Sequence, residues 1–314
     1  MMKKIKYCLL LTLSLTLVGC FGANQSSINR WIDNPTANEI KVTIDGKELT
    51  IPAKSGINYT FEYGKHTLSY NNDDFNFVVK PAQFGELGLI NPTQSNYYLY
   101  TVIYSTSEMN DEQYEKILRE NREINSIPVI IDGKEQEIEM PAKLINDVFI
   151  EHSQYHWDYS YDQPFPKEIT QDLKLKKNQS YQQRYRKLYR ESDFIEFLKE
   201  DEQEDISFPY NPKKFSEISQ YVIPKIDLNN IKCEAGRQYM EGLLNDWNHL
   251  MTLKGSDFTK PYDNLASNDA MAKSYGSEDK CTEANDPEKT YSKELRQFVD
   301  ALRNTRDVNF YVVK

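Results

Sequence analysis

Cys233 and Cys281 are the pair in this chain best suited to covalent chemistry with each other. No CxxC spacing is present, so a reversible dithiol centre is not indicated. Joined, they would close the segment between them, and loop entropy puts the gain at about 4 kcal/mol. A structural disulfide made in an oxidising compartment is expected, with two separate buried thiols as the alternative. The histidines are His66, His152, His156 and His249. His152 and His156 are four apart, but no HExxH pattern holds them. The surrounding alternation predicts strand or loop, where such positions do not stack as they do on a helix. No metal site and no cofactor are expected. His66 falls in a predicted hairpin strand and should make ordinary hydrogen bonds. Asn71, Asn72, Asp73 and Asp74 lack the twelve-residue spacing of a calcium loop and read as a solvated turn.

Carboxylates and aromatics carry the remaining chemistry. Glu151, Asp158 and Asp162 surround an aromatic segment and could supply the two acids of a glycan or peptide hydrolase, which need not be close in sequence. Tyr155, Trp157, Tyr159 and Tyr161 share one parity if that segment is a strand, so they form either one core face or one unusually aromatic recognition surface. Tyr97, Tyr98, Tyr100 and Tyr104 raise the same question. Alternation sends at least half of these rings into a core, which makes ordinary packing the favoured reading for most of them. No GxSxG elbow, P-loop or dinucleotide fingerprint occurs, which leaves no catalytic residue to name. With 48 acidic against 38 basic side chains in 314 residues, the chain has a net charge of −10 and a poor balance for gripping a phosphate backbone. Nucleic acid is not an expected partner.

The opening segment sets an address. Lys3, Lys4 and Lys6 precede an apolar run from Tyr7 to Val18 that is too short to span a bilayer, so residues 1–19 read as a signal peptide. Leu17, Val18, Gly19 and Cys20 resemble the lipobox of bacterial lipoproteins. That resemblance implies cleavage after Gly19 and lipid attachment to Cys20, with acyl chains numerous enough for stable anchoring. Phe21 stands where the family's inner-membrane retention signal is an aspartate, which favours the outer membrane in a cell with two membranes. Loss of the three leader lysines takes the net charge from −10 to −13. Residues 20–30 are expected to form the lipidated tether, with its small polar stretch from Gly22 to Ser27.

The elements that would position these groups begin near Trp31. Short alternating runs separated by turn residues predict antiparallel strands or hairpins, with Asp45-Gly46 making a first turn and Tyr63-Gly64-Lys65 a second. Residues 42–54 (VTIDGKELTIPAK) recur as 129–143 (VIIDGKEQEIEMPAK). Asn-Pro-Thr precedes each copy, at Asn34 to Thr36 and at Asn91 to Thr93, and an apolar residue followed by asparagine comes after each, Ile57-Asn58 and Ile145-Asn146. A duplicated β module follows, with a helical insert near 109–124 in the second copy. The VxIDGK hairpin, the nearby proline and the GxHxL strand resemble the PEGA-type repeats of bacterial envelope proteins over residues 38–80, with an echo at 127–160. The resemblance implies a surface or carbohydrate-associated scaffold.

Beyond Pro166 the composition turns toward helices. The run from Gln179 to Glu200 predicts a helix or helix pair with Tyr181, Tyr185, Leu188, Ile195 and Leu198 near one face. A second helix is expected over 234–252 and a last one over 291–303. Residues 255–289 read as turn-rich, and the terminal VNFYVVK as a strand that docks on an existing sheet.

The chain is therefore expected to be α+β: a sandwich-like duplicated antiparallel β module, with units at 31–82 and 83–166, followed by an α-rich region over 167–314. The leading functional expectation is a lipid-anchored envelope protein with a structural or protein-interaction role and an envelope protein partner. An envelope hydrolase and a small-ligand-binding lipoprotein are the alternatives. The last of these predicts an enclosed aromatic pocket between the β repeats and the helical region.

Overall fold

The computed structural model describes residues 25–82, 87–166, 168, 181–201, 206–218 and 223–313, so the expected signal peptide and Cys20 lie outside the described residues. The first unit contains β1 (Ser27–Asn34), β2 (Ile40–Ile44), β3 (Lys47–Ile51), β4 (Ser55–Glu62), β5 (Gly64–Tyr70) and β6 (Asp73–Val79). The second contains β7 (Gly88–Ile90), β8 (Tyr97–Ser105), α1 (Asp111–Glu120), β9 (Asn125–Ile131), β10 (Lys134–Met140), β11 (Ala142–Ile145), β12 (Phe149–Glu151) and the single turn α2 (His152–Tyr155). Then come β13 (Gln182–Arg190), α3 (Glu191–Asp201), β14 (Ile206–Ser207), α4 (Glu234–Leu250), α5 (Ser256–Ala266), α6 (Asn268–Gly276), α7 (Thr290–Asn304) and β15 (Phe310–Val313). The fold is α+β, its sheets rich in antiparallel pairs and its helices concentrated in the C-terminal half.

The sequence repeat maps onto repeated structure. Asp45-Gly46 and Asp132-Gly133 both hold positive φ and close two-residue hairpins, β2 with β3 and β9 with β10. That backbone matches the twist of the strands it joins. Asn34 ends β1, Asn91 directly follows β7, and the two fold back alike. The Asn34 amide donates to Asn38 O at 2.8 Å and the Asn91 amide to Ser95 O at 2.8 Å, while each carboxamide oxygen accepts from the hydroxyl of the threonine two residues on. Each amide also donates to the segment leading into the returning strand, Pro52 O for Asn34 and Asp147 O for Asn91. The returning strands β4 and β12 pair beside β1 and β7, and β1 lies parallel to β7, giving the sheet order β12-β7-β1-β4. The two units thus meet through their equivalent first strands.

Beyond that shared sheet they diverge. In the first unit Ile40, Val42 and Ile44 alternate inward from β2, and the five-stranded sheet β15-β6-β5-β2-β3 buries its apolar face with α4 to α7 in one large core. Tyr291, Leu295, Phe298, Val299 and Leu302 form a helical stripe on α7 that faces this core. In the second unit β8 is the middle of a three-stranded sheet, order β11-β8-β13. Period-two alternation sends Tyr98 and Tyr100 to a cluster with the β9–β10 hairpin and α3, and Tyr97 and Leu99 to another against Leu89, Ile150 and Trp157. These tyrosines are therefore core residues.

Several expectations require correction. The turn at Tyr63-Gly64-Lys65 passes between two sheets and does not join paired strands, because β4 pairs with β1 while β5 pairs with β2 and β6. Gly64, at φ 126°, lets the chain turn the corner between sheets, and a Cβ there would lie 2.6 Å from Leu253 O. The expected helix from 179 splits. Residues 182–190 pair along their whole length with β8, and the helix begins only at Glu191. Tyr185 and Leu188 consequently lie on opposite faces of a strand. The available β8 edge and the aromatic content outweigh a helix-compatible spacing. Residues 255–289, expected to be turns, contain α5 and α6. Pro261 inside α5 masks the spacing of Phe258, Tyr262, Leu265 and Ala266, whose burial holds the helix.

The C-terminal strand closes the first unit as expected, with Phe310 opposite Val79 at the β6 edge. A buried polar junction secures it. Glu151 accepts the backbone N–H of Asn309 at 2.7 Å and of Phe310 at 2.8 Å and lies 3.6 Å from Arg30. Lys80 donates to Val308 O at 2.6 Å, and burial pushes its amine down to about 7. Cys233, at the start of α4, is disulfide-bonded to Cys281, 48 positions away, which ties the ends of the α4–α6 segment together.

Candidate functional site

A cleft of about 400 Å³ opens where the two units meet. Its walls come from β1, β7 and the segment from α2 to Gln163. Trp31 and Asp33 lie two apart on β1 and share a face. Trp31 can lie flat there because Gly56 is on the neighbouring strand, where a Cβ would stand 2.6 Å from the indole Nε1 and 2.5 Å from Ile32 O. Asp33 is fully buried and satisfied on both oxygens. It accepts Trp31 Nε1–H at 2.7 Å, the Tyr97 hydroxyl, and two N–H groups of Arg190, one of them at 2.9 Å. Such a bidentate pair fixes the guanidinium plane. Burial opposes the Arg190 charge, but Asp33 outweighs it and holds the arginine pKa raised. The guanidinium lies 4.4 Å from the centre of the Tyr161 ring and so positions that side chain from below. Burial, then the Asp33 charge, raises the Tyr161 hydroxyl, which keeps it neutral.

The loop from Trp157 to Gln163 is stitched to β13. Asp158 accepts the Arg186 backbone N–H at 2.7 Å, Leu188 N–H donates to Tyr159 O at 2.9 Å, and the Lys187 ammonium donates to Ser160 O at 3.0 Å and to Gln163 O. His152 contacts the Trp157 carbonyl at 2.7 Å, and its ring stands edge-on to the Trp157 indole. The cleft therefore combines aromatic surfaces from Trp31, Trp157 and Tyr161 with polar groups from Asp158, Ser160, Asp162 and Gln163. This composition suits a ligand with both apolar faces and hydroxyls.

The aromatic residues singled out from sequence do not form one strand face. The chain makes one helical turn through Tyr155, His156 adopts a left-handed φ of 54°, and the rest is irregular. Trp157 is buried and Tyr161 half-buried at the cleft. Tyr159 packs on Phe165 and Tyr185, and Tyr155 turns away with its hydroxyl on Asp147. His152 and His156 therefore occupy a helical turn and its cap, contrary to the strand or loop expected, and no group of three metal-ligating side chains occurs among the described residues. Of the three candidate acids, Asp158 and Asp162 reach the cleft. Glu151 is committed to the C-terminal strand, where burial raises its carboxyl against the pull of Arg30. His66 makes the hydrogen bonds expected of it, to Asp45 at 2.6 Å and Glu62 O at 2.7 Å; of the turn expected at 71–74, Asn71 and Asn72 form the β5–β6 turn while Asp73 and Asp74 pair as the first residues of β6. Trp31, Asp33 and Arg190 escaped notice as site residues. The Trp-x-Asp spacing is a two-residue signal, but Arg190 joins it from 157 positions away.

Comparison with protein-family models, curated proteins and solved structures finds no match. No helix among the described residues is long and apolar enough to cross a membrane.

Proposed function

We propose that the folded part of this chain binds a small saccharide in the cleft between the β units, held in the cell envelope by a lipid on Cys20. The cleft carries the reading. Trp31, Trp157 and Tyr161 offer ring surfaces to the C–H faces of a sugar, while Asp158, Asp162 and Gln163 offer acceptors and donors to its hydroxyls. Hydrolysis is less well supported, since Asp158 already accepts a backbone N–H and Glu151 lies outside the cleft. A glycan array probed with the full chain tests the proposal. Binding to a defined saccharide, weakened tenfold or more by Trp31→Ala and by the exposed Asp162→Ala, is the expected result. No saccharide bound, or equal binding by both variants, contradicts it.

A protein-interaction role draws on the tether and the duplicated units, and Leu87, 64% exposed at the cleft, gives it a contact point. The lipid is tested separately by incorporation of an alkyne-tagged fatty acid in the native host. Label in the natural chain and none in Cys20→Ala supports the anchor, and label in both assigns it elsewhere.

A further inference from the structure

A second cleft, of about 260 Å³, has a different chemistry. Arg122, Lys143 and Arg186 line it against a single carboxylate, Glu123, a local reversal of charge in a chain of net charge −10. That carboxylate is already engaged on both oxygens. Glu123 accepts from Thr101 Oγ1 at 2.9 Å, Arg184 at 2.5 Å and Arg186 at 2.7 Å. Burial would raise its carboxyl, but Arg186, Thr101 and Arg184 together hold it below the usual range, so it stays charged.

The cations it cannot neutralise face the cleft. Arg122 follows α1 at a left-handed φ of 57°, is exposed, and forms no salt bridge within the described residues. Lys143 is exposed on β11, with its ammonium 5.1 Å from the Tyr155 ring centre, a contact that leaves its charge uncompensated. Arg186 spends one terminal nitrogen on Glu123, and its Nε is buried with no hydrogen-bond acceptor. Buried donors are nearly always paired, so an Arg186 guanidinium with an N–H to spare, in one lining with two uncompensated cations, leaves the cleft with more donors than acceptors.

We propose that this cleft binds a small oxyanion, a carboxylate or phosphoryl group, through Arg122, Lys143 and the guanidinium of Arg186. Planar guanidinium groups suit such oxygens, and the lysine adds a mobile point charge. The site is separate from the aromatic cleft: α2 and the segment after it lie between them, with Tyr155 lining one and Trp157 the other. Its test is independent of saccharide binding.

Thermal unfolding of the full chain is followed while inorganic phosphate or malonate replaces chloride at constant ionic strength. A ligand that binds only the folded state raises the midpoint in step with the logarithm of its concentration once that exceeds the dissociation constant. At least one probe is expected to do so, with a tenfold or greater loss of apparent affinity in the double variant Arg122→Ala, Lys143→Ala. The exposed control Lys116→Ala should respond as the natural chain does. A response to phosphate alone assigns a phosphoryl ligand, and a response to malonate alone a carboxylate. No response to either probe, or an undiminished response in the double variant, overturns the proposal.

Discussion

Asn34 and Asn91 turn the chain alike, and Asp45-Gly46 and Asp132-Gly133 close matching hairpins, yet the first unit is roofed by α4 to α7 and edged by β15 while the second carries the basic cleft and most of the wall of the aromatic one. In the first unit the roof merges strands and helices into a single core. The second buries its apolar residues in two smaller clusters on either side of β8 and leaves Tyr155, Tyr159 and Tyr161 half-buried. A duplicated β module supplies two equivalent apolar faces, and what covers each one decides whether it becomes scaffold or surface. The C-terminal helices cover one. Strand β13, helix α3 and β14 cover the other incompletely, and the gap lies next to the shared strand β1.

Variants should separate the two roles. The largest effect is expected at the junction that holds the roof in place: Glu151→Ala would leave Arg30 and two backbone N–H groups without their carboxylate, at a cost of about 3–5 kcal/mol in urea unfolding. A smaller loss, about 2–4 kcal/mol, is expected for Cys233→Ser with Cys281→Ser. Intact mass before and after reduction checks the bond directly. Gly56→Ala should cost about 1–3 kcal/mol by overpacking against Trp31 and also abolish saccharide binding, because the displaced indole belongs to the cleft.

Asp45 sharpens the comparison by pH. Partial burial opposes its ionisation, but the Thr67 N–H, His66 and Lys254 hold its carboxyl below the usual range. A depressed folded pKa stabilises above the unfolded value of 3.8 and loses that contribution as pH falls through the folded value. Asp45→Asn, which tolerates the same positive φ, should therefore flatten the fall in melting temperature below pH 4. At the exposed matching turn, Asp132→Asn should change stability at neutral pH by no more than about 0.5 kcal/mol, the smallest effect of the series.

Local signals in the sequence carried much of the fold. The Asp-Gly turns, the capped insert helix α1, the apolar stripes of α4 and α7 and the terminal strand are each specified within a dozen or so residues, and all appear where expected. What local pattern could not reveal depends on distant partners. β13 is a strand because β8 offers an edge, and α5 survives Pro261 because its buried stripe meets the first core. The site divides in the same way. Trp157 and Tyr161 stand out in composition, whereas the Asp33 and Arg190 pair beneath Tyr161 exists only once β1 and β13 are brought together.

The central claim is that the uncovered junction is a saccharide site. Two of the three tryptophans, Trp31 and Trp157, line that cleft, and Trp247 lies in the first core, so intrinsic fluorescence reports on the cleft. Titration of the full chain with the saccharide selected by the array should give a saturable change in emission that Trp31→Ala weakens tenfold or more while the urea midpoint holds. A saturable change of equal affinity in Trp31→Ala, or none with any saccharide in the array, would contradict the account.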